Sequence, residues 1–110
     1  MQKLNLPRYE WAEFFLNLAA VYRNRRVAIK QYVDNDLNTS KFKEITLRDI
    51  VLMENGDSQV RIYASDRSNH DVSYVIFQPQ IVEFQKQSGN RITTVKITNT
   101  DGLMTTFEFR

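Results

Sequence analysis

The sequence predicts an α+β domain in which one N-terminal amphipathic helix packs on a curled antiparallel meander of about seven strands, a roll or half-open small barrel. Three observations predict it. Pro7 to Asn24 is the one stretch with apolar residues at helical spacing. From Arg26 onward, short runs alternate with period two and are separated by polar or Gly-containing turns. One of those runs, Phe42 to Met53, changes phase at Arg48-Asp49, which an alternating strand does only through a bulge or bend.

The helix is expected over residues 8–24, with Pro7 at its start, where a missing N–H costs nothing. Trp11, Phe14, Phe15, Leu18, Val21 and Tyr22 fall on one side, and Glu10, Glu13, Asn17, Ala20 and Asn24 on the other. An aromatic stripe of this size calls for a covering surface, here the sheet that follows. Glu10 and Glu13 suit the positive end of the helix dipole, while Arg23, Arg25 and Arg26 suit its negative end. Asn24 is able to take the left-handed conformation that stops a helix.

Strands then run from about 26 to 109. In Arg26 to Val33, the residues Val27, Ile29 and Val33 oppose Ala28, Lys30 and Tyr32. Asp34 to Ser40 is a polar loop. Asn55-Gly56 reads as a tight hairpin turn, because both central residues of such a turn need positive φ. Val60, Ile62 and Ala64 mark the inner face of the next strand, and Val72 to Phe77 follows a polar loop. Pro79 interrupts before Ile81 to Lys86. The turns Ser88-Gly89-Asn90 and Thr100-Asp101-Gly102 frame Arg91 to Thr98. The closing strand is Leu103 to Arg110, with Leu103, Thr105, Phe107 and Phe109 on one face.

With 110 residues, 42% apolar and 25% charged, and with only 3 Gly and 2 Pro, the chain reads as a single domain, 1–110, without linkers. It has 0 cysteines, so disulfides, thiolate metal sites and a cysteine nucleophile are excluded. No leader-like or membrane-length apolar stretch is seen, and the expectation is a cytoplasmic protein with no membrane partner. Residues 1–50 hold nine Lys or Arg against six Asp or Glu (net +3), and the remainder six against seven (net −1).

Groups for proton or metal chemistry are sparse. His70 is the one histidine, lies in a polar loop and has no companion at ligand spacing. Asp34-Asn35-Asp36 lacks the glycine and distal glutamate of a calcium loop. Gly-rich phosphate loops and nucleophile elbows are missing. The expectation is therefore no catalytic residue, no metal and no cofactor.

The candidate binding patch is Arg23, Arg25, Arg26, Lys30 and Tyr32, where strand alternation puts cations beside a ring. Lys41, Lys43 and Arg48 are candidates to extend it. Such a patch fits an acidic protein partner, and alternatively the phosphates and bases of a nucleic acid. A small-molecule carrier or enzyme is a further alternative, with a helix–sheet pocket lined by Trp11, Phe15 and Phe107. Leu103 to Arg110, if at a sheet edge, would offer backbone to a second chain, with Arg110 as a guard against it.

The two ends of the chain carry a resemblance. Leu6-Pro7-Arg8-Tyr9-Glu10-Trp11 with Phe14 and Phe15, and the ending Thr100-Asp101-Gly102-Leu103-Met104-Thr105-Thr106-Phe107-Glu108-Phe109-Arg110, resemble a small bacterial family of unknown function. Its members begin with a Pro-Arg-Glu-Glu-Trp-like helix and close with an Asp-Gly turn and a threonine-rich strand. Pro79 ahead of Val82 and Phe84 fits the middle of that pattern. At the helix exit this chain departs from the pattern, with Arg23-Asn24-Arg25 where an acidic residue, a glycine and a Trp are usual. The resemblance implies one bacterial domain and brings no activity. Taken together, the expectation is a binding or assembly module that acts on an unknown protein partner or on itself.

Overall fold

The computed structural model describes residues 2–33, 42–54, 57–87, 89 and 91–109. Among these, eight strands form one antiparallel sheet: β1 (Gln2–Asn5), β2 (Arg26–Val33), β3 (Lys43–Met53), β4 (Gln59–Ser65), β5 (Asp71–Phe77), β6 (Pro79–Gln87), β7 (Arg91–Asn99) and β8 (Leu103–Phe109). Their order is β1-β6-β7-β8-β2-β3-β4-β5. The single α-helix among the described residues, α1 (Trp11–Tyr22), packs on this sheet, as an α+β architecture requires.

One expectation needs correction here, and one condition is decided. The strand count rises from seven to eight because Gln2–Asn5 pairs with β6, Leu4 opposite Phe84. The closing strand is not an edge: β8 lies between β7 and β2, with Phe107 opposite both Val95 and Ile29. Its threonine-rich backbone is already paired on both sides.

The helix also starts later than Pro7 implied. Arg8–Glu10 form a 3₁₀ turn, closed by Glu10 N–H donating to Pro7 O at 3.0 Å, while Pro7 itself stays extended with ψ 145°. The far end also falls short of residue 24: α1 ends at Tyr22, and Arg23 leaves helical conformation with ψ 133°. Asn24 takes φ 66° in the turn that follows, closed by Arg25 N–H donating to Tyr22 O at 3.0 Å, and its own N–H donates to Leu47 O at 2.7 Å. Leu47 N–H in turn donates to Arg25 O at 3.0 Å, so the helix exit is sewn onto β3. Asn24→Ala is expected to cost about 1–2 kcal/mol, because alanine resists positive φ and lacks the amide that Arg48 contacts. Asn24→Gly should cost less, and comparing the two urea midpoints separates backbone strain from the lost hydrogen bond.

That junction is also where β3 is irregular. Its pairing with β4 slips between Leu47 and Asp49, leaving Arg48 as the extra residue of a bulge, where the change of phase placed it. Ile45, Leu47 and Ile50 are consequently all buried, although their spacing is not even. A second device curls the sheet more sharply. β5 and β6 are far apart in the strand order, yet Gln78 alone separates them in the chain. Gln78 has φ 50°, donates its N–H to Ser58 O at 2.8 Å, and accepts from Thr100 N–H at 3.2 Å. One residue thus ties the β4 side to the β7 side, and Pro79 begins a strand where a missing donor is tolerated. The sheet bends round without closing into a barrel.

The concave side holds the core: Trp11, Phe15, Leu18 and Tyr22 from α1 against Val27, Ile29, Leu47, Ile62, Val95 and Phe107 from the strands. Tyr22 stacks on Phe109 with ring centroids 4.2 Å apart and donates its hydroxyl to Ile92 O at 2.8 Å. Phe14 meets Phe84 at 5.2 Å. Val21, assigned to the apolar side, is in fact exposed, and Ala19 is buried in its place. Likewise Ala28, assigned to the outer face, is buried there: its methyl lies low between Glu44 of β3 and Glu108 of β8. Val33 is exposed at the strand end. The Asp34 to Ser40 loop and the Asn55-Gly56 turn lie outside the described residues, as do Lys41, Ser88, Asn90 and Arg110. No described helix is long and apolar enough to cross a membrane.

Candidate binding surface along the second strand

The five patch residues divide into two groups. Arg23 and Arg25 belong to the helix exit. Arg23 donates from Nε to Arg48 O at 3.1 Å and sits 3.5 Å from the Asp49 carboxylate, while the Arg25 guanidinium lies over the Tyr22 ring at 5.9 Å. Arg48, a candidate extension, is also engaged, donating to Asn24 Oδ1 and to Ser65 Oγ. These side chains clamp α1 to the bulge, and the Arg23–Asp49 pair, being half-exposed, adds little stability by itself.

Arg26, Lys30 and Tyr32 form the second group, on the outer face of β2, as alternation requires. Lys30 is half-buried between two rings, its Nζ 4.9 Å from Tyr32 and 5.2 Å from Phe42. Phe42 was not anticipated. It precedes β3, and only the register Ile29↔Lys43 brings it beside Lys30. Knowledge of the strand pairing was the missing signal.

Arg26 lines a cleft of about 240 Å³ with Glu44, Thr46, Asp66, Arg67 and Asn69. A wider cleft beside it, of about 510 Å³, adds Phe42, Lys43, Val72 and Tyr74. Arg67 reaches Glu44 at 3.5 Å. Asp66 organises the β4–β5 turn by accepting from the N–H groups of Ser68 and His70, each at 2.9 Å. The His70 bond, with help from Ser68, holds its carboxyl below the ordinary aspartate value. Tyr74 is shifted the other way: burial raises its phenol, and the Asp66 charge adds to the effect. His70 itself is an exposed loop residue, its Nδ1 3.6 Å from Asp66.

The electrostatics of this surface are mixed. Glu44 and Glu108 flank Ala28, midway between Arg26 and Lys30, so the cations of β2 do not make a continuous positive track. No group of three or more acidic or histidine side chains among the described residues is placed to hold a metal ion.

The residues assigned to a helix–sheet pocket lie in the filled core between helix and sheet. Trp11, Phe15 and Phe107 are 2%, 1% and 1% exposed, packed in the core and lining none of the clefts described here. Grooves do run along the flank of the helix, but other side chains form them. Phe14, Leu18, Val21, Tyr22 and Ile92 line one of about 320 Å³, with Arg91 at its margin. Leu6, Phe84 and Lys86 border its neighbour of about 380 Å³. Compared with known proteins, the chain matches no family model, no curated protein and no solved structure.

Proposed function

We propose that this protein is a small binding or assembly module that works without catalysis and engages an acidic protein partner through the outer row of β2. The observation that supports it most is Lys30 held between Tyr32 and Phe42 beside the Arg26 cleft, a cation and two rings prearranged on a rigid sheet. Rings anchor a partner by desolvation, and flanking charges of both signs set its register. In keeping with the resemblance of its two ends, the setting we propose is the bacterial cytoplasm.

The same cation and rings favour a second reading, nucleic-acid binding. Against it stand Glu44 and Glu108, which interrupt the cations that a phosphate backbone would follow. Fluorescence polarisation with labelled acidic, aromatic-containing peptides, run beside single-stranded and duplex oligonucleotides at low and physiological salt, tests both. Peptide binding is expected, weakening tenfold or more, roughly 1.4 kcal/mol, in Arg26→Glu/Lys30→Glu. Submicromolar oligonucleotide binding with a steep salt dependence would replace the protein partner by a nucleic acid. Indifference of every probe to the double substitution would retire the surface.

A further inference from the structure

The sheet ends in two unlike edges. β1 is four residues long, and a strand that short offers little edge for pairing. β5, at the opposite end, is seven residues long and pairs with β4 and with no other described strand. From Val72 to Phe77 it contains no charge, no proline and no bulge. Its inner face, Val72, Tyr74 and Ile76, packs on the core, but on the outer face Phe77 is 57% exposed and Val75 is partly so. Next to it on β4, Tyr63 is 40% exposed. Backbone N–H and C=O groups along such an edge are satisfied fully by another strand, which identifies the chemistry of the partner.

We infer that β5 pairs with β5 of a second copy about a two-fold axis at Tyr74, joining two sheets into one. The strand is self-complementary in this register. Asp71 falls opposite the second copy's Phe77, Val72 opposite Ile76, and Ser73 opposite Val75. The two Asp71 carboxylates lie at opposite ends of the pair, so no like charges meet. A two-fold contact of this kind closes on itself and, among the described strands, leaves only the short β1 edges open. The inference goes beyond the β2 surface and does not depend on it: the pairing is through the β5 backbone and uses none of Arg26, Lys30, Tyr32 and Phe42, although Val72 and Tyr74 also line the wider cleft.

Sedimentation velocity of the full chain, from low to high micromolar concentration, is expected to give twice the 13.0 kDa chain mass. Ser73→Lys/Val75→Lys places lysine opposite lysine on the outer face and should raise the dimer dissociation constant roughly tenfold or more. Its melting curve should stay close to the wild type's, which distinguishes dissociation from unfolding. Because the chain has 0 cysteines, Tyr74→Cys supplies a unique thiol on the axis. Oxidation should yield a covalent dimer, whereas Leu16→Cys, on the exposed side of α1, should not. A wild type that stays monomeric throughout, a dimer untouched by the two lysines, or equal cross-linking of both thiols would each overturn self-pairing. A monomer that captures extended peptides at this edge would assign it to a foreign strand and overturn self-pairing as well.

Discussion

Trp11→Ala is expected to remove about 3–5 kcal/mol of folding stability, a large share of what a domain of this size possesses. The indole is buried at the first turn of α1, and it does two jobs. Its ring fills the space between the helix and the sheet, and its Nε1–H donates to Leu6 O at 3.0 Å, fixing the segment that joins β1 to the helix. Trp11→Phe keeps most of the ring and loses the donor, so it should cost roughly 1–2 kcal/mol. Urea denaturation of the pair divides packing from hydrogen bonding. A loss below about 1 kcal/mol for the alanine variant would show that the ring is not a core residue.

Phe107→Ala should be as damaging, again about 3–5 kcal/mol, because β8 is a central strand. Phe107 is 1% exposed, lies opposite Ile29 on one side and Val95 on the other, and stacks near Phe109 at 6.3 Å. No neighbouring side chain is free to fold into the space it leaves, since each is held by its own strand. The outer-face neighbour Glu108→Ala gives the contrast, with an effect expected within about 1 kcal/mol. Thermal melts of the two variants should differ by on the order of 10 °C or more, and equal melts would mean that the inner and outer faces of β8 had been misassigned.

What could be read from the sequence depended on whether the signal was local. The bulge at Arg48 was visible because alternation on both sides of it was long enough to show a change of phase. The positive φ at Asn24 was visible because few residue types tolerate it, although the helix itself ends two residues earlier, at Tyr22. Gln2–Asn5 was not visible: four residues carry too little alternation, and the pairing with β6 that makes them a strand lies far along the chain. The same non-locality hid Phe42 from the patch and left the place of the closing strand in the sheet undecided. Trp11, Phe15 and Phe107, assigned to a helix–sheet pocket, are core residues between helix and sheet. Whether that interface was hollow or filled was a question of packing that composition does not answer.

The seam between β2 and β8 bears on how the molecule reaches this state. β2 to β5 form one run of hairpins and β6 to β8 another, and the two runs are stitched by pairs such as Val27↔Phe109 and Val33↔Leu103, widely separated along the chain. Closing so long a loop has an entropic cost that is met before the contacts repay it, which places folding in the slower, millisecond-to-second class of roughly 10⁻³ to 1 s. Until the seam zips, Val27 and Ile29 lack the Phe109 and Phe107 that pair with them across it. During that interval two chains are able to exchange halves, and the concentration at which the protein is refolded governs how often they do so.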